Sequence, residues 1–296
     1  MRKDRKRDPY LDIYDMTSRN NGSLSKKLKS VNFHITKRCN YDCIFCFARF
    51  NKVEEKRLSK YDAKFVIAEL ARVGTQKITF VGGEPTLVSY LPELVIYAKD
   101  LGMTTMIVTN GTKITKSYLK KFDGKLDWVG LSIDSGKEGI NKVLGRGNGK
   151  HVKQTYENVE LLKRFNIKIK LNTVITDMTW DEDMSHLIQK INPLRWKVFK
   201  VLMIGGENDE AIDLSISNEK FDYFIKKHRH LNPISEHNED MVDGYVMIDP
   251  LGGFFNNSNG VMSHGPSIVS VGIERAYEFS NFKISKFIYR GGNYEW

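Results

Sequence analysis

The sequence is poor in the residues that would make it a secreted or membrane protein. It has only three cysteines in 296 residues, all between Cys39 and Cys46. An odd set packed so closely cannot make a disulfide scaffold. No run approaches the roughly 18 apolar residues of a membrane span. The N-terminus, MRKDRKRDPY, is charged with no apolar core behind it, so it does not read as a secretory signal. Proline is scarce, at 7 residues, and no repeat or low-complexity tract interrupts the chain. What remains is a folded composition, 41% hydrophobic with 16 Phe and 13 Tyr. The length allows one large domain or two ordinary ones. The formal charge of +10 points to an anionic partner without naming it, and part of it sits in a basic first segment, residues 1–29, expected to be disordered.

The cysteines lie in KRCNYDCIFCFARF (Lys37–Phe50) with the spacing CxxxCxxC. Structural zinc takes four ligands, and only His34, five residues upstream, is near enough in sequence to join them. Three thiolates instead suit a [4Fe-4S] cluster with one iron left without a protein ligand, open to a small molecule.

Periodicity places strands at VNFHIT, QKITFV, TTMIVTNG, LDWVGLSID, IKIKLNTVI and RWKVFKVLMI. Helical segments intervene at SKYDAKFVIAELARVG, PELVIYAKDLG, KSYLKKF, 151–166 and 182–190. Six strands alternating with helices predict a parallel α/β sheet, open or curled into part of a barrel, and the alternation stops near residue 205. Parallel strands covered on both faces read as continuous Val/Ile/Leu runs, and these do not. Because side chains alternate, Asn32 and His34 share one face of their strand, as do Lys77 and Thr79, Lys170 and Asn172, and Arg195 and Lys197; Ser132 shares a face with Gly130. A curled sheet with an apolar outside and a polar lumen satisfies all of them. Four cations, Lys77, Lys170, Arg195 and Lys197, would then need an anion, and a nucleoside triphosphate carries a similar opposite charge.

CxxxCxxC after the first strand, with GGEP (Gly82–Pro85) after the second, resembles the radical S-adenosylmethionine (SAM) superfamily. That resemblance implies a partial (β/α)6 barrel over residues 30–205 with a C-terminal extension, 206–296, completing the site. It also implies a [4Fe-4S] cluster on Cys39, Cys43 and Cys46, whose free iron chelates SAM. Reductive cleavage of SAM then gives methionine and a 5′-deoxyadenosyl radical. KRCNYDCIFCF, GGEP, IDS…GRGNGKH, NPLRWKVF and RGGNYEW together are similar to the viperin family over roughly residues 30–296. Viperin-like enzymes convert a nucleoside triphosphate, typically CTP, to its 3′-deoxy-3′,4′-didehydro analogue, a chain terminator for viral polymerases.

By that resemblance Phe47, Gly82, Gly83, Glu84, Asn110, Ser132, Arg146 and Asn172 hold SAM or its neighbouring ribose, the two glycines allowing backbone to approach closely. Asn32, Lys77, Lys170, Arg195, Lys197 and Arg290 hold the substrate. The departing 3′ hydroxyl needs a proton donor, and His34, Glu84, Asp134 and Tyr245 all stay open for it. Vertebrate members carry a tyrosine that aligns with Leu251, and a basic cluster where this chain has NNSNGVMSHG, with His264 its sole basic side chain. That loop is expected to touch base or phosphate, which makes UTP a competitor to CTP. The absence of an apolar stripe in residues 1–28 implies a cytoplasmic protein with no membrane partner; no stable nucleic-acid partner is expected, and the resemblance implies a reductase electron donor. GRGNGKH has the wrong spacing for a phosphate loop, His228 falls in a helical apolar pattern, and Trp196 faces the core side. The rival readings are a radical SAM enzyme acting on RNA or a cofactor precursor, and a nucleic-acid-binding protein with a structural cluster.

Overall fold

A computed structural model describes residues 24–53 and 56–296. Ten strands form one sheet: β1 (Ser30–His34), β2 (Lys77–Val81), β3 (Thr104–Thr109), β4 (Trp128–Ser132), β5 (Lys168–Ile175), β6 (Arg195–Lys200), β7 (Ile234–Glu236), β8 (Val246–Ile248), β9 (Gly253–Asn256) and β10 (Ser263–Ser267). Their order is β10-β9-β8-β1-β2-β3-β4-β5-β6-β7. Every pair from β8 to β7 is parallel, and β8, β9 and β10 are antiparallel. β7 and β10 are not paired to each other, so the sheet stays open. The six strands read from sequence are all present. Residues after 205 add a parallel strand at each side of them, β7 beside β6 and β8 beside β1. Residues 1–23 of the segment expected to be disordered lie outside the described residues. Its end is ordered: Leu24–Lys27 forms a helical turn and Leu28 is buried in the core.

Helices between the strands cover one face of the sheet. The helix Lys60–Arg72 starts where the Ser59 hydroxyl accepts from Asp62 N at 3.2 Å, satisfying an orphan donor of its first turn. Its buried residues Ala63, Val66, Ile67 and Leu70 recur at helical spacing. They pack in one core with Ile78, Phe80 and Leu94. The other face of the sheet lines a cavity, where Asn32, Lys77, Thr79, Ser132, Lys170, Asn172, Arg195 and Lys197 all point. Register stacks these groups. Lys170 pairs with Arg195 in one row, and Ser132, Asn172 and Lys197 lie in a row two residues farther along. Gly130 leaves space there, since a Cβ would sit 3.0 Å from Val108 and 3.4 Å from the Asn172 amide.

The loop after β2 packs backbone to backbone on the loop after β1. Gly83 N donates to the Thr36 carbonyl at 2.7 Å, and Glu84 N to Arg38 O at 2.8 Å. A Cβ on Gly83 would lie 2.4 Å from both the Lys37 and Arg38 carbonyl oxygens, neither of which can swing away. Gly83→Ala therefore lowers stability by roughly 1–3 kcal/mol, the usual cost of overpacking. Urea unfolding of the purified variant beside the wild type measures this, and an unchanged midpoint refutes it.

Candidate active site

The cavity, about 320 Å3, lies inside the curl of the sheet. One end of it is the cysteine loop, lined by Cys39, Cys43 and Cys46, all with free thiols. Among the described residues no three His, Cys, Asp or Glu side chains converge on a single metal ion. A cubane makes a different demand, one thiolate for each of three irons. Tyr41 N donates to Cys39 Sγ at 3.4 Å and Asn110 Nδ2 approaches it at 4.0 Å. Such N–H donors to sulfur are a normal outer shell for a cluster. Burial raises all three thiols, Cys43 to about 12, so deprotonation there calls for a bound cation. The donor set and its surroundings fit a cluster.

Glu84 lines the cavity and accepts four hydrogen bonds, three of them on one oxygen. Its Oε1 accepts from Thr86 N at 3.0 Å, Thr86 Oγ1 at 2.5 Å and Thr109 Oγ1 at 2.7 Å, while Oε2 accepts from Asn110 N at 2.8 Å. It clamps the GGEP loop to the TNG turn, although burial pushes its carboxyl up. The two glycines also do something other than what the sequence suggests. They line the cavity, but their missing side chains make room for Thr36–Arg38. Asn110 is held at both ends, donating to Asn40 Oδ1 at 2.9 Å and accepting from Thr112 N at 3.0 Å. Asp134 is buried in an ion pair with Arg146 and accepts from Val174 N at 2.9 Å. The Ser132 carbonyl accepts from His151 Nε2 at 2.7 Å, a neutral imidazole whose pKa burial and Arg146 lower to about 4. Phe47 and Asn172 complete this part of the wall. Asn172 Oδ1 is buried and has no hydrogen-bond partner among the described residues.

The other end is cationic. Lys77, Lys170, Arg195, Lys197 and Arg290 all line it. Burial lowers each of them, and neighbouring cations further depress Lys77, Lys170, Arg195 and Lys197. Lys170 falls to about 7 through burial, Arg195 and Arg290. They are not left entirely unpaired, as the sequence led us to expect. Glu236, on β7, holds Lys197 in a buried ion pair and meets Arg290 Nη1 at 3.4 Å. It also accepts from the Tyr245 hydroxyl, which takes a hydrogen bond from Lys197 at 3.2 Å. The Arg290 guanidinium lies 3.5 Å over the Tyr245 ring, and its Nε donates to Gly244 O at 2.7 Å. Tyr294 closes the end, with its hydroxyl on Lys77 and Arg195 stacked 3.9 Å above its ring.

Every residue singled out in the sequence for cluster, cofactor, substrate or proton transfer thus lines the same cavity. Glu236 and Tyr294 were missed. Glu236 lies beyond the α/β alternation, on a three-residue strand with no periodic signal, whereas Tyr294 sat in the quoted RGGNYEW motif and was passed over. The loop NNSNGVMSHG behaves differently from expectation. Asn257 lines the cavity, whereas His264 does not and pairs with Asp249 at 2.8 Å. Leu251 is exposed at the surface. His228 is a buried helix end, accepting from Met184 N at 2.9 Å, and Trp196 is core, donating to Thr173 Oγ1 at 3.0 Å.

Residues 33–191 match the family model of the radical SAM superfamily. The chain is 43% identical over 279 residues to an S-adenosylmethionine-dependent nucleotide dehydratase of Flammeovirga pacifica, covering 91% of this chain and 96% of that one. It is 36% identical over 283 residues to the S-adenosylmethionine-dependent nucleotide dehydratase RSAD2 of Danio rerio, covering 90% of this chain and 78% of that one. Among solved structures, anSMEcpe with bound AdoMet superposes with a TM-score of 0.65 at 16% identity, over 87% of this chain and 83% of that one. That likeness shows the shared partial-barrel fold.

Glu236 is the counter-charge on which the cationic end rests. Glu236→Gln leaves Lys197 and Arg290 buried without it and destabilises the protein by about 3–5 kcal/mol. Denaturant titration of the ligand-free variant tests this; a loss below 1 kcal/mol contradicts it.

Proposed function

Because this chain belongs to the radical SAM superfamily, and within it to the S-adenosylmethionine-dependent nucleotide dehydratases, we propose that its substrate is a nucleoside triphosphate. CTP is the first candidate and UTP the second. The product is the 3′-deoxy-3′,4′-didehydro nucleotide, which would end a growing viral nucleic-acid chain in antiviral defence. One observation carries the substrate reading. A single cavity has three free thiols at one end and five cations around one carboxylate at the other. Formally that end holds four positive charges more than negative, the complement of a triphosphate.

Enzymes of this superfamily use a [4Fe-4S] cluster and SAM, and when bound these supply hydrogen-atom abstraction from an unactivated carbon. The chain's own residues do the rest. Cys39, Cys43 and Cys46 hold the cluster, with Phe47, the Gly82–Glu84 loop, Asn110, Ser132 and Arg146 around SAM. Glu84 Oε2, which accepts a single hydrogen bond, and the neighbouring loop carbonyls are the acceptors for the methionyl ammonium. Asn172 offers its unpaired Oδ1 to a ribose hydroxyl. Asn32 stands by the base or sugar. Lys77, Lys170, Arg195, Lys197 and Arg290 bind the phosphates and so fix the sugar at near-attack distance.

Removal of the C4′ hydrogen atom, departure of the 3′ hydroxyl as water and arrival of one proton and one electron balance the reaction. A reductase supplies the electron. Glu84 and Asp134 are engaged as acceptors and the Tyr245 hydroxyl donates to Glu236, which leaves His34 as the uncommitted candidate for the proton. Among the described residues no helix is long and apolar enough to cross a membrane, and we place the enzyme in the cytoplasm.

Anaerobic reconstitution with iron, sulfide, SAM and dithionite, with CTP, UTP, GTP and ATP offered separately, tests the reading by mass spectrometry. One nucleotide should stimulate 5′-deoxyadenosine formation and itself lose one water. SAM cleavage with no dehydrated nucleotide from any of the four rejects the substrate. A second test uses pH. Lys170 titrates near 7 in the free protein, and a phosphate beside it raises that value. Binding then takes up a proton above pH 7, so affinity is full below 7 and falls by up to about tenfold per unit above it. Calorimetry in buffers of different ionisation enthalpy should detect the uptake, and Lys170→Met should reduce it, Lys77 and Lys197 being depressed as well. Equal heats in all buffers would count against Lys170 as a phosphate ligand.

A further inference from the structure

We propose that His151 is a positioning residue that ties the cysteine loop to the end of β4 and, through Tyr41, sets the reduction potential of the cluster. This holds whichever nucleotide the site takes, since it concerns the thiol end alone. It also gives GRGNGKH, whose spacing is wrong for a phosphate loop, a role of its own.

That motif lies against the cysteine loop. Ile44 N donates to Leu144 O at 3.1 Å, and Cys43 Sγ approaches Gly145 O at 3.7 Å. Gly145 and Gly147 have left-handed backbone, with φ of 78° and 84°. A Cβ on Gly145 would collide with the Asp42 carbonyl, and one on Gly147 would stand 2.9 Å from the Tyr41 hydroxyl. The two loops therefore meet where no side chain fits. Between the glycines Arg146 is buried in its ion pair with Asp134, its guanidinium 5.5 Å from the centre of the Phe45 ring.

His151 closes the motif. It is the first residue of the helix His151–Arg164 and is buried. Its Nε2 lies 2.7 Å from the Ser132 carbonyl, which can only accept, so the ring proton sits on Nε2. Nδ1 of the neutral ring is then an acceptor. The Tyr41 hydroxyl meets it at 3.4 Å, and the two rings pack edge to face at 5.7 Å. Tyr41 N in turn donates to Cys39 Sγ at 3.4 Å. One line thus runs from the Ser132 carbonyl through the imidazole and the phenol to a cluster ligand. Cys39 is the exposed thiol of the three, the one that packing constrains least. N–H donors to ligand sulfur stabilise the added negative charge of a reduced cluster, and so raise its potential. By anchoring the Tyr41 ring, His151 holds that N–H at a fixed angle. Ser132 lines the cavity, so the same histidine joins the SAM wall to the cluster loop.

Full-length wild type, His151→Gln, His151→Phe, Tyr41→Phe and the double variant Tyr41→Phe/His151→Phe test this. In the cluster-free protein, histidine 15N spectra should show the His151 proton on Nε2. Tyr41→Phe should move Nδ1 and leave Nε2 in place. In the reconstituted protein, an anaerobic redox titration followed by electron paramagnetic resonance gives the cluster midpoint. At the wild-type midpoint, Tyr41→Phe and His151→Phe should each lower the ratio of reduced to oxidised cluster about threefold or more, tenfold being 59 mV for one electron. The double variant should fall no further than the larger single change, because both substitutions break one line. His151→Gln keeps an N–H for Ser132 and an oxygen for Tyr41, and should stay within about twofold of wild type. Tyr41→Phe removes one hydroxyl from a half-buried ring, so it decides the matter even where His151→Phe fails to fold. A midpoint that Tyr41→Phe leaves unmoved, single shifts that add in the double variant, or His151→Gln falling as far as His151→Phe overturns the assignment.

Discussion

Five cationic side chains converge in a space with one carboxylate, and much of the molecule is arranged around that imbalance. A buried ammonium or guanidinium costs several kcal/mol unless something offsets it. Glu236 offsets part, through Lys197 and Arg290. Aromatic faces offset more: Arg195 lies 3.9 Å from the Tyr294 ring centroid, Arg290 3.5 Å from that of Tyr245, and Lys77 4.5 Å from that of Tyr294. The rest appears as depressed lysines, Lys170 near 7 among them. The ligand-free protein thus stores repulsion that an anion of high charge would relieve.

The thiol end follows the opposite rule. There the polar groups of the wall are satisfied by the protein itself. Glu84 joins two loops through four accepted hydrogen bonds, and Asp134 and Arg146 neutralise each other. Such a network is rigid, and it holds the loop carrying the cysteines against backbone that only glycine permits. Between the ends lie the exceptions, Asn172 Oδ1 and His34 Nδ1, buried and unpartnered among the described residues.

Much of this was legible in the chain. CxxxCxxC located the thiols, and the polar alternation on β1, β2, β5 and β6 identified the inward face, since side chains on a strand alternate whatever the tertiary context. Elements after residue 205 were illegible for a physical reason. β7 and β8 are three residues each, too short for a period, and they pair with strands about 40 and more than 200 positions away in sequence. Glu236 on β7, and Tyr245 just before β8, could not be placed by pattern alone.

His264 and Glu84 mark the same division more finely. The sequence sets which residues are present and which face of a strand they take, because those depend on covalent spacing. It determined the cluster motif, the parallel α/β plan and the lysine face. The tertiary structure decided partners. It put His264 on Asp249 instead of in the cavity, set Glu84 as the clamp between two loops, and set one carboxylate among five cations. Each outcome depends on distances between segments remote in the chain, and only the folded sheet sets those distances.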